Sequence, residues 1–443
     1  MKHFYLDNFR GFQKKLIPLR DVNFCVGENS SGKSSFLALV HMLSSPKFWF
    51  DQIIEGGESG FGHFDDIVSI SAKKRDYFRV GYAEKVSLRR SRKNEDTDER
   101  VRAFLFSYRK KDGMPKLHKF THNYGKKCVT LVFSDKTVRY KVEDIDEICE
   151  LEDFGFAGFE EWVQKHERNS HAGYTLITDD FVTSEHVPPM FILTYVIQGL
   201  MKGKDRDISR AFLAGPGPLF GEVAWIAPIR TKPRRTYDEV KLDFSPEGEH
   251  TPYTVKKILD NTEDSQRFIK FVEKFGSESG LFKEVKVHRF GNSVTSPFEL
   301  DIVLESAPLN ISSVGYGVSQ ALPVMVELFV RQNGAWFAIQ QPEVHLHPRA
   351  QAAFGEMIFE LASNEKKRFI VETHSDFTID RYRLSQRESK IELDAQVLFF
   401  ERVDGKNIPT AIPIDRDGEL SDQQPKKYRE FFLKEELRIL GAL

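Results

Sequence analysis

The stretch Gly27-Glu28-Asn29-Ser30-Ser31-Gly32-Lys33-Ser34 decides the reading of this chain, because it fits the pattern GxxxxGK[ST] at every position. Residues 22–26 before it are a short apolar run, and residues 36–43 after it have the apolar density of a buried helix. Strand, glycine-rich loop and helix in that order make a phosphate-binding P-loop. Two glycines let the backbone fold tightly, so main-chain N–H groups surround phosphates and the helix N-terminus adds positive potential. Lys33 then places an ammonium on the terminal phosphates, and Ser34 offers a hydroxyl to Mg²⁺. A plain Gly/Ser-rich turn before a core helix is the rival reading; strand and helix context both weigh against it. ATP and Mg²⁺ are the expected ligands, held by Gly27, Glu28, Asn29, Ser30, Ser31, Gly32, Lys33, Ser34 and Ser35.

Downstream, residues 77–142 read as short strands between charged turns, which predicts an antiparallel sheet with one wet face. Residues 89–100 mix charge signs within a few positions and predict a solvated hairpin loop. Residues 143–217 carry acidic helical patterns, an apolar helix at 190–201 and the breaker cluster at 215–218, and so read as a mainly helical insertion. Residues 222–229, 283–289 and 298–304 read as strands, and 254–275 as an amphipathic helix. The C-terminal third alternates helix 319–330, strand 336–339, helix 348–361, strand 368–371 and helix 377–384. Strands 396–401 and 410–414 and a helix at 428–440 close the chain. Alternation with fully apolar strands argues for a parallel sheet covered on both sides. The fold class is α/β, divided at 1–142, 143–217 and 218–443.

Of the 443 residues, 40% are hydrophobic and 29% charged, an ordinary globular balance. No apolar run is long enough to span a bilayer, and the N-terminus lacks the layout of a signal peptide. Three cysteines, Cys25, Cys128 and Cys149, offer neither a disulfide framework nor a CxxC pair. A cytoplasmic location without membrane contact is the expectation. A net charge of −2 gives no global signature of nucleic-acid binding. The 38 phenylalanines are read as core and interface filling rather than as base-stacking platforms.

A Walker B strand is a run of apolar residues ending in an acid. Here Trp336-Phe337-Ala338-Ile339 runs into Gln340-Gln341-Pro342-Glu343-Val344-His345-Leu346-His347, and a second apolar strand ends in Glu372-Thr373-His374-Ser375-Asp376. Both should terminate on one edge of the parallel sheet, where open α/β folds bind ligands. His374 at a strand end suits contact with a γ-phosphate or a water, against the plain alternative of a surface or capping histidine. Glu343, His345 and His347 invite a metal reading, but their spacing is loop-like and no cysteine or HxxxH supports it.

Taken together, FRGF at 9–12, GENSSGKSS, VGYGVSQALP at 314–323, QQPEVHLHP and ETHSD resemble the ABC-type ATPases of the SMC/RecF/OLD lineage. More narrowly they resemble compact ATPases of bacterial anti-phage systems such as Septu (PtuA), some retrons and PARIS (AriA). The motifs run from Phe9 to Asp376 and leave 143–217 uncovered. The resemblance implies an ABC-type head with a mixed or parallel P-loop sheet, an antiparallel β lobe and a helical insertion. It implies nucleotide contact by Arg10 and a signature formed by Ser313, Gly315, Gly317, Ser319 and Gln320. Such a signature opens a helix and receives a γ-phosphate presented by another subunit, so a head-to-tail homo-oligomer is expected. His374 falls at the switch histidine, and Phe61-Gly62-His63-Phe64-Asp65-Asp66 at the Q-loop, with Gln52 a second candidate. Ile229-Arg230 and Arg234-Arg235-Tyr237 resemble a basic strand-end motif; a solvated turn is the rival reading.

One departure matters. Gln340, at the metal position, and Gln341, at the water-polarising position, stand where the lineage carries an acidic pair. An amide can hydrogen-bond water but cannot take its proton at neutral pH. Catalytic roles then fall to Lys33, Gln341, Glu343 and His374, and slow hydrolysis is expected. The resemblance implies a defence ATPase that senses a trigger and regulates a separate nuclease effector, since no nuclease motif is found in the chain. The alternatives are a RecF-like repair or recombination ATPase that binds DNA directly, and an ATP-stabilised scaffold with little turnover.

Overall fold

The computed structural model describes residues 2–51, 61–91, 94–124, 127–135, 137–144, 156–167, 172–179, 187–201, 223–291, 293, 295–422, 424–428, 430 and 437–438. The chain folds as two compact units, one of residues 1–20, 28–221 and 400–411, the other of 21–27, 222–399 and 412–443. Strands β1 (Lys2–Asp7), β2 (Lys15–Leu19) and β3 (Val22–Gly27) precede helix α1 (Lys33–Ser44), so the P-loop has the strand–loop–helix setting read from the sequence. Helices α2 (Pro46–Asp51) and α3 (Phe64–Ile67) follow.

The first unit is built on an antiparallel sheet. Strands β4 (Tyr77–Ser91), β5 (Asn94–Lys111), β6 (Met114–Tyr124), β7 (Lys127–Phe133), β8 (Val138–Asp144) and β9 (Thr175–Leu176) join β1 and β2 in the order β2-β1-β4-β5-β6-β7-β8-β9. The charged stretch 89–100 is therefore mostly strand and not the predicted loop: β4 runs to Ser91 and β5 resumes at Asn94. Helices α4 (Phe156–Glu167) and α5 (Pro189–Met201) also belong to this unit.

Alternation of side chains along a strand assigns the sheet's two faces. Phe4 meets Phe36 of α1 at 5.8 Å, whereas its neighbour Tyr5 meets Phe159 of α4 at 5.2 Å. On the α1 side Phe48 and Trp49 of α2 pack edge-on against Phe106 and Phe104. On the α4 side Tyr5 donates to Glu160 at 2.8 Å, and Arg79 bridges Asp7 and Glu167 at 2.8 and 2.9 Å. Most of the described phenylalanines are thus core filling, while Phe191, Phe290 and Phe377 are exposed.

The second unit carries the parallel sheet. Strands β10 (Val223–Ile226), β14 (Trp336–Gln340), β15 (Arg368–Glu372) and β3 lie side by side and parallel, followed by β16 (Ala395–Val403) and β17 (Lys406–Ile414). Strands β11 (Glu284–Arg289), β12 (Phe298–Val303) and β13 (Pro308–Asn310) form a small antiparallel sheet. Helices α6 (Thr251–Asp260), α7 (Thr262–Ser279), α8 (Tyr316–Val330), α9 (Pro348–Glu365) and α10 (Asp376–Ser389) complete it. Phe24, Phe337, Ile339, Phe369 and Val371 share one core with Leu322 of α8 and Phe354 of α9. The single helix expected at 254–275 is two, because Asn261 breaks it and caps the second by accepting from Glu263 N at 3.1 Å. The mixed α/β class is as the sequence predicts. The predicted closing helix at 428–440 falls mostly outside the described residues.

Candidate nucleotide site

Within the first unit the P-loop is wound tightly and clamped. Ser30 and Gly32 both have left-handed backbones, φ 61° and 99°. Glu28 O accepts from Ser31 Oγ and from Lys33 Nζ, each at 2.8 Å, so the lysine ammonium folds back across its own loop. Gly32 caps α1 and accepts from Phe36 N at 2.9 Å. No acid occupies the first turn of α1, and Ser34 is exposed there. This leaves the positive end of the helix for an anion. Beside Gly32, Asn407 donates to Arg10 O at 2.8 Å. The Arg10 guanidinium donates to Phe61 O at 3.3 Å and lies over the Phe61 ring. Burial pulls its pKa down while Asp66 pushes it up. Arg10 and the 61–66 segment therefore come together, and Asp66 accepts from His63 N at 3.1 Å to cap α3. Gln52 lies outside the described residues.

In the second unit the parallel register aligns Gln340, Glu372 and Cys25 across β14, β15 and β3. The strands that end in the Walker B-like and ETHSD segments thus share an edge with Gly27, as their sequence patterns predict. Gln340 donates through Nε2 to Glu372 Oε2 at 3.0 Å, and both are buried. Glu343 holds the other strand end, accepting from Thr373 Oγ1 at 2.9 Å and His374 N at 2.6 Å. The His374 side chain itself is exposed. Gln341 has φ 43° and donates through N to Glu372 O at 2.7 Å.

His347 is spent on capping α9, accepting from Arg349 N at 3.3 Å. Among the described residues no group of three metal-ligating side chains comes together.

The signature candidates divide. Ser313 and Gly315 are exposed at the start of α8, and nothing lies within 4 Å of the Gly315 Cβ position. A Cβ on Gly317 would sit 3.1 Å from His345 O, so glycine lets α8 approach the Gln341–Leu346 turn. Ser319 is buried and donates back to Tyr316 O at 2.9 Å. Gln320 is buried and accepts through Oε1 from Arg230 N at 3.3 Å. The Arg230 guanidinium is 3% exposed and donates to Gln340 O at 3.0 Å. Arg234 and Arg235 stay near the surface, with Tyr237 OH accepting from Arg234 N at 3.1 Å.

Glu372, named in the sequence as a strand end, and Arg230, named in a basic strand-end motif, are two groups the expected catalytic and nucleotide-binding residues leave out. Glu372 was findable from the shared strand edge. Nothing in a lone Arg after a strand distinguishes burial from a solvated turn.

A glycine-rich loop that follows a strand of a parallel sheet and opens a helix defines a P-loop α/β protein. A family model described as an AAA ATPase domain matches residues 1–379, and the chain belongs to that family. No curated protein matches the chain. Among solved structures it is similar to an SMC head bound to the C-winged helix domain of ScpA, at 10% identity and TM-score 0.45 over 93% of this chain and 97% of that one. It is similar to the SMC head domain from Thermotoga maritima, at 11% identity and TM-score 0.36 over 92% and 97%. It is also similar to the recombination mediator RecF, at 12% identity and TM-score 0.30 over 92% and 97%. No described helix is long and apolar enough to cross a membrane.

Proposed function

We propose that this chain is an ABC-type ATPase head of the SMC/RecF/OLD kind, working in an anti-phage defence system as a nucleotide-gated oligomer that regulates a separate nuclease. The observation that carries the nucleotide part is the P-loop, with Lys33 folded onto Glu28 O and an acid-free helix end behind it. In this reading Lys33 and the loop N–H groups hold the phosphates, and Ser34 supplies a hydroxyl to Mg²⁺. Gln340 and Glu372 offer an amide and a carboxylate at the sheet edge, a donor set that suits a hydrated Mg²⁺. Glu343 and His374 are the groups left to position water. The exposed Ser313 and Gly315 form the helix end that a second copy's nucleotide would meet.

With Gln340 and Gln341 in place of acids, no amide at this edge takes a proton from water. ATP then acts as an assembly and gating ligand, and turnover is slow. The defence role rests on the joint motif set from Phe9 to Asp376.

The test combines light scattering with and without Mg-ATP, a phosphate-release assay, and binding to labelled duplex DNA and to the product of the neighbouring gene, with Lys33→Ala as control. Lys33-dependent association and nuclease capture support the proposal. A protein that stays monomeric in saturating ATP overturns the ABC reading, brisk Lys33-dependent turnover overturns the gating role, and salt-sensitive DNA binding without a nuclease favours the RecF-like alternative.

A further inference from the structure

Arg230 is a buried cation with too few partners. Its main chain is tied to α8 through Gln320, and one guanidinium nitrogen donates to Gln340 O at 3.0 Å. Its Nε and the other terminal nitrogen are buried and meet no hydrogen-bond acceptor. Burial pushes its pKa down to about 10, with Glu343 the one charge opposing that shift. Buried guanidinium donors left unmatched are expensive, and an anion that reached them would offset part of that cost. Glu343 is the anion whose charge acts on Arg230, and in this arrangement its two oxygens accept from Thr373 Oγ1 and His374 N.

The turn that carries Glu343 is held under backbone strain. Gln341 and His345 both adopt left-handed φ, 43° and 63°, without being glycine. Its other contact is the start of α8, where Gly317 packs on His345 O and the Tyr316 ring lies tilted against His345 at 5.6 Å. A strained turn held between the signature helix and the strand end has a route to a second arrangement.

We propose that Arg230 is a positioning residue: with nucleotide bound, its two unmatched donors take the Glu343 carboxylate, releasing it from Thr373 and His374. This inference rests on the nucleotide reading. It makes Arg230 the link by which the signature helix, through Gln320, and the catalytic edge, through Gln340 and Glu343, change together.

The test uses the full chain in five forms: wild type, Arg230→Met, Glu343→Gln, the double variant and Lys33→Ala. Urea unfolding without nucleotide comes first. Arg230→Met should unfold at or above the wild-type midpoint, because an unfulfilled buried charge is replaced by an apolar chain of similar reach. The Mg-ATP dependence of the thermal midpoint then gives apparent nucleotide affinity. Each single variant should lose about tenfold, which is ~1.4 kcal/mol, and the double should lose no more than either. A clearly lowered urea midpoint for Arg230→Met marks a structural arginine and overturns the inference. So does an unchanged affinity, or losses that multiply to about a hundredfold in the double variant. A wild-type response equal to that of Lys33→Ala overturns the nucleotide reading itself, and the inference falls with it. A normal wild-type response that ignores Arg230 overturns the inference alone.

Discussion

Gly32→Ala is the sharpest probe of how the P-loop is held. Gly32 has φ 99°, and a Cβ there would lie 2.6 Å from Asn407 Nδ2 and 2.6 Å from Phe12 Cζ. A left-handed backbone with a Cβ costs about 1–2 kcal/mol. Forcing a methyl into occupied space costs about 1–3 kcal/mol more, so the total is about 2–5 kcal/mol. Gly113 supplies the control: its φ is 81°, but nothing lies within 4 Å of its Cβ position. Gly113→Ala should therefore show the backbone part alone, about 1–2 kcal/mol. Urea unfolding monitored by tryptophan fluorescence measures both, and nucleotide affinity follows from the Mg-ATP dependence of the thermal midpoint. Relief of the clash moves Asn407, which holds Arg10 O at 2.8 Å, or Phe12 beside it. Gly32→Ala should thus weaken nucleotide binding as well as stability, while Gly113→Ala should leave binding alone. If the two variants prove equally stable and bind nucleotide equally, the clamped P-loop described above is wrong.

Gln340→Glu sets a second buried carboxylate against Glu372, now 3.0 Å from the amide, and like charges so placed cannot both ionise freely. Its thermal midpoint at pH 8 should fall and be regained with millimolar Mg²⁺ or at pH 5; a midpoint indifferent to both refutes the pairing. Burial raises the Glu327 carboxyl, but the His250 hydrogen bond at 2.6 Å and Arg331 outweigh it and hold the pKa below the usual range. That stability is present above the unfolded carboxylate pKa and is lost as pH falls through the folded one. Glu327→Gln should cost about 1–3 kcal/mol at pH 7, with the gap to wild type closing in acid; an equal gap at pH 3 and pH 7 counts against it. Burial, helped by Lys85, pushes His3 down to about 4, and burial pushes His122, stacked on Phe104 at 4.3 Å, well below its ordinary value. Both stay neutral in the fold while the unfolded chain protonates, so stability present above about pH 6.5 is lost toward pH 4. His122→Phe should flatten that slope in urea titrations, and an unchanged slope would show that His122 takes no part.

What the sequence made legible was what local chemistry encodes. Gly27 to Ser34 carries its own loop geometry, and the apolar runs ending at Gln340 and Glu372 announce parallel strands that share an edge. Reading failed where tertiary context overrules composition. The charges of 89–100 look like a loop, yet pairing such as Leu88 with Asp98 carries the strands through them. Asn261 was a readable cap inside an otherwise continuous amphipathic pattern, and the longer period hid it. Ser319 and Gln320 fall in a signature by resemblance alone, and only packing reveals that both side chains turn inward.

The same distinction bears on the two glutamines. Counted along the strand, Gln340 and Gln341 remove the acids; counted across the edge, Glu372 stands against Gln340 and Glu343 against His374 N. A carboxylate that accepts from a buried amide is held at the edge but has part of its acceptor capacity engaged. One that accepts from both Thr373 and His374 keeps lone pairs for a proton, but those two bonds fix where it is aimed. The slow turnover proposed above would then depend on how these carboxylates are aimed as well as on the glutamines. Restoring an acid at Gln341 alone, with Glu343 still tied to the second strand end, should raise turnover less than restoring it alongside Thr373→Val, which frees one Glu343 oxygen. Phosphate release in the two variants decides this: equal rates would place the whole effect in the missing acid.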